Sequence, residues 1–252
     1  AISDRREWTG QPSVTQLING TREEYLKITR DYAASPQALI PALFGSCCHA
    51  YLERYADEKS LTEERLSDPT GSYTGQFDYY DAETQTLYDT KTYGSYKAAQ
   101  VLGLEKISVP AINAITGEIE TTKSGKPKMK TEYVKGMRHM RDVTLQLNAY
   151  RMMLEHRGYP VRRMMLEVIV RDGGTWIAQS RGIVGNAFLS PVGVISDRWV
   201  KRYFEAKKRR LEGHLNANTM PPPCRPIEKW GGRKCKTFCA VKEYCDYARR
   251  YE

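Results

Sequence analysis

Residues 73–93 read YTGQFDYYDAETQTLYDTKTY, a stretch whose two arms are rich in Tyr, Phe and Thr. These residue types favour β-strands, and the polar segment 81–85 between the arms has the composition of a turn. The stretch is therefore predicted to form two strands joined by a turn. Asp78 falls near the end of the first arm and Asp89 falls in the second.

The spacing of three residues in the second arm predicts a shared face. Side chains two apart on a strand point the same way, so Asp89 and Lys91 are predicted to share a face that Thr90 opposes. If the two arms pair about the turn, Asp78 comes to lie beside Asp89. Two carboxylates and one ammonium group would then meet at one place.

This grouping suits a divalent metal site. Mg²⁺ takes oxygen ligands, commonly one or two carboxylates together with water and a substrate phosphate. A neighbouring lysine can act on an attacking water or offset charge on a phosphate. The alternative is a solvated hairpin with an ordinary Asp/Lys pair, because short motifs arise often by chance.

The length and composition of the chain predict a globular protein without a membrane-spanning segment. The chain has 252 residues, of which 40% are hydrophobic and 27% charged, enough for one large domain or two small ones. It contains no apolar run near the roughly 20 residues that span a bilayer. The segment 1–7 lacks the apolar core of a signal peptide, so an intracellular location is expected, cytoplasmic in a prokaryote or phage.

The positive charge is concentrated at one end. The net charge is +9, and residues 201–252 hold fourteen Lys and Arg against six Asp and Glu. Such a region favours a polyanionic partner, nucleic acid first. A basic, solvated tail without a partner is the alternative.

Helical periodicity marks two segments ahead of residue 73. A helix is predicted from Ser13 or Thr15 through Tyr32. A second, after Ser35 and Pro36, has an apolar stripe that indicates an amphipathic helix and places its cysteines in the core. His49 falls at the edge of this stripe, a position that can reach a cleft, although a single histidine is more often structural. The stripe consists of Ile40, Leu43, Phe44, Cys47, Cys48, Tyr51, Leu52 and Tyr55.

Further elements follow from the same patterns. Leu61–Leu66 is predicted as a short strand and residues 105–136 as a protruding loop or hairpin with six lysines. A helix from Met137 to Arg157 has Gln146 and Tyr150 on or beside its apolar stripe, where they can together address a ligand or the hairpin backbone. The stripe consists of Met140, Val143, Leu147, Tyr150 and Leu154.

The last third is predicted to contain two strands, a helix and a cysteine module. Met164–Val170 is predicted as a buried strand that pairs with Thr175–Gln179 across a glycine turn. Ser196 and Asp197 begin a helix that runs to about Leu215. The inner row of that helix is Val200, Tyr203, Phe204, Lys207 and Leu211.

Four cysteines close to the C-terminus predict a metal centre. They are separated by ten, three and five residues, in a short basic segment with little apolar material of its own, so a bound metal would supply folding energy. Zn²⁺ sites commonly use Cys-x2-Cys pairs, which this segment lacks. The looser spacing suits a [4Fe–4S] cluster better but leaves zinc open. The four are Cys224, Cys235, Cys239 and Cys245.

With these segments in order, the chain resembles the PD-(D/E)xK nuclease superfamily. Within it, the chain is similar to the RecB-like exonuclease branch, which includes CRISPR-associated and AddB-type nucleases with an iron–sulfur cluster. Four short motifs occur in the order of the family and on the expected elements. They are GSCCHAYLE at 45–53, GQFD at 75–78, DTK at 89–91 and QLNAY at 146–150.

The resemblance implies a role for each matching residue. His49, Asp78 and Asp89 would bind Mg²⁺ or Mn²⁺, with the Thr90 carbonyl as a further ligand. Lys91 would act on the attacking water. Two residues of the later helix, Gln146 and Tyr150, would position the DNA strand or the backbone of the active site.

The resemblance also implies a fold and an activity. The fold is α/β (α+β), a restriction-endonuclease-like core with a central mixed sheet flanked by helices, in residues 1–219 with an insertion at 105–136. Residues 220–252 would form a four-cysteine metal module that packs on it. The activity is a metal-dependent DNA exonuclease, acting on single-stranded DNA or a free end. A structure-specific endonuclease and an inactive nucleic-acid-binding protein with structural zinc are the alternatives.

The cysteine pattern departs from the family. Its cluster-bearing members take one cysteine from the N-terminal region and three from a C-terminal Cys-x2-Cys-x5-Cys. Here the segment 18–21 contains no cysteine, and the C-terminal spacing is Cys-x3-Cys-x5-Cys. Cys224 is the candidate for a relocated fourth ligand, with Cys47 or Cys48 as the alternatives.

Overall fold

The computed structural model describes residues 8–34, 36–55, 60–133 and 136–251. The α-helices are α1 (Val14–Ile18), α2 (Thr21–Thr29), α3 (Pro36–Glu53), α4 (Ser95–Leu102), α5 (Arg141–His156), α6 (Trp176–Ser180) and α7 (Asp197–Asn216). The strands are β1 (Ser60–Thr62), β2 (Arg65–Ser67), β3 (Thr74–Gln76), β4 (Tyr79–Asp81), β5 (Thr86–Tyr93), β6 (Lys106–Pro110), β7 (Met129–Tyr133), β8 (Arg163–Val170) and β9 (Ala187–Pro191).

The largest sheet is mixed and has the strand order β1-β4-β5-β8-β9. β4 runs antiparallel to both β1 and β5. β5 and β8 run parallel, since backbone bonds join Arg163 to Gln85 at the start of both strands and Arg171 to Tyr93 at their ends. The prediction of a central mixed sheet flanked by helices is therefore confirmed.

The chain forms two compact units, and the division runs through β5 and β8. The first unit comprises Ala1–Asp89, Asp142–Met165 and Val192–Glu252, and the second comprises Thr90–Arg141 and Leu166–Pro191. The first unit has a core of fully buried side chains, among them Leu17, Phe77, Tyr80, Leu87, Leu147, Leu154 and Phe204. No described helix combines the length and the hydropathy that a membrane crossing requires.

The hairpin predicted around the turn at 81–85 is present between β4 and β5, with Tyr79 opposite Tyr88 and Asp81 opposite Thr86. The Asp81 carboxylate holds the turn by accepting bonds from the backbone N–H groups of Glu83 and Thr84. Because Phe77 and Asp78 interrupt the first arm, the arm is two strands instead of one, and β3 pairs with β2.

The strand predicted at Leu61–Leu66 is also interrupted, opposite the interruption at Phe77 and Asp78. β1 and β2 are separated by Glu63 and Glu64, and Glu63 has a positive φ of 51°. The backbone N–H of Glu63 donates to the Asp78 carbonyl over 3.0 Å, so the two interruptions face each other. The prediction of one continuous strand was wrong because the sheet changes partner here.

The helix predicted from Ser13 to Tyr32 is two helices. Ser13 begins α1 with a capping box to Gln16, as the sequence indicated. The helix stops at Asn19 and Gly20, whose backbones are extended, and α2 starts at Thr21. At this break only glycine fits beside the cysteine module, because a Cβ on Gly20 would lie 2.4 Å from the sulfur of Cys224.

Helix α3 forms, although its described side chains are not buried. The exposed fractions reach 60% for Ile40, 64% for Leu43 and 72% for Tyr55. Cys47 is exposed and Cys48 half-buried, so placing both in the core was wrong. Periodicity shows that a helix has an apolar face, but not whether another element covers it. Ser35, which precedes α3 in the prediction, lies outside the described residues.

The predicted stripe of α5 is confirmed, and the inner row of α7 is confirmed except for Tyr203, which is half-buried. Every residue of the predicted stripe of α5 is buried, and Gly158, with a φ of 88°, follows its end. In α7 the buried residues are Val200, Phe204, Lys207 and Leu211. Ser196 is the N-cap residue of α7, and its side chain makes no capping hydrogen bond.

The strand predicted at Thr175–Gln179 is a helix. Thr175 is the N-cap of α6, and its hydroxyl accepts a bond from the N–H of Ala178. On the side of β8 away from β5, the neighbouring strand is β9, as the backbone bonds from Val170 to Asn186 and from Val192 to Met164 show. The prediction failed because a threonine after a glycine turn serves equally well as a strand residue or as a helix cap.

Residues 106–133 of the second unit form an exposed hairpin. β6 and β7 pair antiparallel, with Lys106 opposite Tyr133, and isolated bridges continue the pairing towards the tip. This agrees with the hairpin alternative for 105–136, of which 134 and 135 lie outside the described residues. Two of its lysines pair within the hairpin, Lys128 with Glu120 and Lys130 with Glu132.

Candidate metal centre and cysteine pocket

Three side chains from separate segments of the first unit converge at the start of β4. Nδ1 of His49, on α3, lies 3.3 Å from Oε1 of Glu63 and 3.7 Å from Oδ2 of Asp78. One ligand atom from each of the three lies within 4.8 Å of the others. His49 and Asp78 were predicted as metal ligands from the sequence, and Glu63 was not.

The donor set suits a divalent ion. Two ligands bound about 2.1 Å from an octahedral ion are about 3.0 Å apart when adjacent and about 4.2 Å apart when opposite. The two contacts of His49 fall between these values. The three side chains are between 15% and 30% exposed, so an ion can reach them from solvent.

Asp89 lies on β5, the strand that pairs with β4. The two strands pair from Tyr79 opposite Tyr88 to Asp81 opposite Thr86, and Asp78 and Asp89 are the next residues beyond Tyr79 and Tyr88. Asp89 is fully buried. Its carboxylate does not belong to the group of three that is closest together in the part of the chain that is described.

Beyond Asp89, β5 enters the second unit. Thr90 is buried, and its hydroxyl donates to Oε2 of Glu167 over 2.7 Å. Lys91 is half-buried and lies two residues beyond Asp89 on the same strand. Alternation along a strand gives Asp89 and Lys91 the same side of β5, and Thr90 the other.

Gln146 and Tyr150 of α5 are hydrogen-bonded to each other. The Nε2 group of Gln146 donates to the Tyr150 hydroxyl over 3.0 Å, and Tyr150 is 3% exposed. The ring of Tyr150 lies against Gly75 in β3. The Tyr150 ring therefore packs on the strand that precedes Asp78, and the role predicted for the pair stays a prediction.

The four C-terminal cysteines line one pocket in the first unit. Arg22, Glu23 and Leu26 of α2 line its other wall, together with residues from the C-terminal segment. The backbone N–H of Glu23 donates to the sulfur of Cys224. Nη1 of Arg22 lies 3.8 Å from the sulfur of Cys245. Donors aimed at sulfur stabilise thiolates and tune bound clusters.

Burial favours the protonated form of three of these thiols. It raises the pKa of Cys224 and Cys235 and raises the pKa of Cys239 to about 11. Metal binding would therefore release protons, because the ligand is the thiolate.

The spread of the sulfurs bears on which metal fits. A tetrahedral Zn²⁺ with Zn–S bonds of about 2.3 Å brings its sulfurs to about 3.8 Å from one another. Within the described residues, no three cysteine sulfurs approach one another within 4.8 Å. The described sulfurs therefore do not form the compact tetrahedron of a loaded zinc site.

Buried ion pairs tie the pocket to the rest of the first unit. Lys207 of α7 meets Glu228 over 2.7 Å, and Lys234 meets Glu23 over 2.6 Å, all four side chains being at most 12% exposed. Although burial acts in the opposite direction, Lys27 and Lys234 hold the pKa of Glu23 below its usual value. Part of the basic excess near the C-terminus is therefore used internally.

Other basic residues of this region remain at the surface. Both Lys207 and Lys229 are buried, while nine basic side chains between 201 and 250 are exposed. Exposed positive charge is available to a polyanion. The exposed set is Lys201, Arg202, Arg209, Arg210, Arg225, Arg233, Lys236, Arg249 and Arg250.

Comparison with known proteins gives loose structural similarities. No family model and no curated protein matches the chain. Among solved structures, the chain is similar to the protein SSO0001, at 12% identity and a TM-score of 0.45 over 96% of this chain and 89% of that one. It is also similar to a phage-related exonuclease from Haemophilus somnus 129PT, at 8% identity and a TM-score of 0.44 over 82% and 96% of the two chains. We therefore argue function from the residues of this chain.

Proposed function

We propose that the chain is a divalent-metal-dependent deoxyribonuclease that hydrolyses phosphodiester bonds. The observation that carries the proposal is the meeting of His49 with Asp78, whose facing atoms lie 3.7 Å apart. The two residues come from α3 and from the bend ahead of β4. Their sequence motifs point independently to the same role.

Each residue of the site has a part in the proposal. His49, Asp78 and Asp89, with the carbonyl of Thr90, would hold Mg²⁺ or Mn²⁺. When bound, such an ion polarises a phosphate oxygen and lowers the pKa of a water molecule. Lys91 would orient the attacking water and offset the charge that develops on the phosphate. Gln146 and Tyr150 would keep the Asp78 segment in place.

DNA is the proposed substrate because the chain is basic and its exposed positive charge is concentrated near the C-terminus. Contacts of this kind reach the phosphate backbone, so binding would weaken with salt and depend little on sequence. Action on single strands from a free end is preferred on the resemblance to the RecB-like exonucleases.

The cysteine pocket would hold a structural [4Fe–4S] cluster ligated by Cys224, Cys235, Cys239 and Cys245. This choice over zinc is supported by the shared pocket and by the observation that no three of the described cysteine sulfurs lie within 4.8 Å of one another. Protein purified without oxygen is expected to be brown and to contain iron and sulfide. Colourless protein with stoichiometric zinc and no iron would contradict the cluster and leave the nuclease proposal standing.

Cleavage of two labelled substrates tests the activity. With Mn²⁺, the protein should shorten end-labelled linear single-stranded DNA and leave a closed single-stranded circle intact, and EDTA should stop the reaction. Cutting of the circle would assign an endonuclease that uses the same residues. Tight binding to both substrates without cleavage would contradict the nuclease and favour a nucleic-acid-binding protein.

A further inference from the structure

Glu63 has no assigned role, yet it faces the predicted ligand His49. Its Oε1 atom lies 3.3 Å from Nδ1 of His49, whereas Oδ2 of Asp78 lies 3.7 Å from the same nitrogen. The residue lies between β1 and β2, and its side chain is 30% exposed.

The position of this carboxylate is fixed by its neighbours. Nε2 of Gln76 donates to Oε2 of Glu63 over 2.8 Å and to the Glu63 carbonyl over 3.1 Å. The Glu63 N–H donates to the Asp78 carbonyl. These bonds to Gln76 and Asp78 restrain both the carboxylate and the backbone of Glu63, with Oε1 directed at His49.

The backbone of Glu63 adopts a conformation that non-glycine residues avoid. Its φ of 51° falls in the left-handed region, which costs a residue with a side chain about 1 kcal/mol or more. Such strain persists where surrounding contacts impose it, and it gathers at functional sites. Here the imposed conformation places the Glu63 carboxylate beside His49 and Asp78, as the third possible ligand of the group.

The distances within the group suit ligands of one ion. Ordinary hydrogen bonds span about 2.7–3.2 Å. Nδ1 of His49 lies 3.3 Å from Oε1 of Glu63 and 3.7 Å from Oδ2 of Asp78, beyond that range and within the separations of ligands that share one ion.

We propose that Glu63 is a ligand of the divalent ion alongside His49 and Asp78, and that Gln76 is its positioning residue. The inference rests on the proposed metal-dependent function and adds a carboxylate that its residue set lacks. Three donors from three segments would then surround the ion before Asp89 is counted. Glu63 would contribute charge and affinity, and Gln76 would act only through Glu63.

Mn²⁺ binding to metal-depleted protein tests the ligand directly, with the free ion followed by electron paramagnetic resonance. Glu63→Gln, which keeps the size and loses the charge, should weaken binding at least about tenfold. Glu64→Gln is the matched control, the same change one residue away, and should bind as the wild type does. Glu63→Gly accepts the left-handed backbone, so it tests the lost carboxylate if Glu63→Gln does not fold.

Gln76→Met separates positioning from chemistry. It should raise the Mn²⁺ concentration that gives half-maximal DNA cleavage, while cleavage at saturating Mn²⁺ returns to the wild-type rate. A lowered rate that saturating Mn²⁺ does not restore would contradict the positioning role.

The outcomes distinguish this inference from the function beneath it. If Glu63→Gln and Glu63→Gly bind Mn²⁺ as tightly as the wild type while Asp78→Asn loses it, the metal site stands and Glu63 is not a ligand. If the wild type itself binds no Mn²⁺ and cleaves no DNA, the proposed function fails together with the inference.

Discussion

The ring of Tyr150 lies so close to the backbone of Gly75 that a Cβ on Gly75 would be 2.5 Å from Cε1 and 2.9 Å from Cδ1. Contacts this short are not tolerated, so the packing of α5 on β3 requires glycine at this place. Three residues after Gly75, the chain reaches Asp78. The contact therefore connects the buried helix with the candidate metal centre.

Gly75→Ala should destabilise the protein and disturb the site. Overpacking in a well-filled core costs about 1–3 kcal/mol, and the Tyr150 ring must move away from the strand. We expect a lower free energy of unfolding in urea and weaker Mn²⁺ binding. Gly193→Ala, where a Cβ meets nothing within 4 Å, is the control and should change neither. Equal effects of the two substitutions would refute the packing argument.

The sulfur ligand at position 224 should be transferable to position 20, on the facing side of the cysteine pocket. A Cβ on Gly20 would lie 2.4 Å from the Cys224 sulfur, so Gly20→Ala should displace this thiol and lower the metal content. Cys224→Gly should do the same by removing the ligand. The double variant Gly20→Cys with Cys224→Gly supplies a sulfur from the other side, and it should recover part of the cluster absorbance. No recovery, with the fold intact, would exclude this exchange.

Lys207 and Glu228 should behave as a buried pair. Their side chains are 6% and 7% exposed, and Lys207 also donates to the Asn19 carbonyl. Lys207→Met leaves the Glu228 carboxylate buried without its cation, which is expected to cost about 3–5 kcal/mol in urea unfolding. Lys207→Met with Glu228→Gln should cost clearly less. If the free energy of unfolding falls in the double variant by as much as the sum of the losses in the two single variants, the two residues are not coupled.

Asp172 should make the second unit acid-sensitive. Ser95 donates to the carboxylate through its hydroxyl and its backbone N–H, each over 2.6 Å, and the hydroxyl bond above all lowers the pKa of Asp172 below 3.8. A carboxyl group whose pKa falls on folding stabilises the fold above its unfolded pKa. This contribution disappears as pH falls through the lowered value. Asp172→Asn should therefore flatten the decline of stability between about pH 5 and pH 2. An unchanged pH profile would show that these bonds add no stability.

Local patterns predicted the elements that local physics determines. The turn after Asp81 and the buried rows of α5 and α7 depend on capping and periodicity within one segment, and all three are present. The pairing of the two arms about this turn also followed from the hairpin pattern, and Tyr79 lies opposite Tyr88.

The errors have tertiary causes. The helix breaks at Asn19 and Gly20, where Cys224 lies against Gly20, and no residue of α3 that the structure describes is buried despite its apolar period. Glu63 was missed because only folding brings it to His49. Its one local signal was a pair of acidic residues inside a predicted strand, where acidic residues are disfavoured.

Cleavage by Lys91→Ala protein tests the central claim most directly, when its Mn²⁺ binding is measured on the same sample. If Lys91 acts on the water and the phosphate, the variant should bind Mn²⁺ and DNA like the wild type and lose Mn²⁺-dependent shortening of linear single-stranded DNA by at least about 100-fold. A variant that binds the ion and degrades the strand at the wild-type rate would contradict the assignment of this site as the nuclease centre.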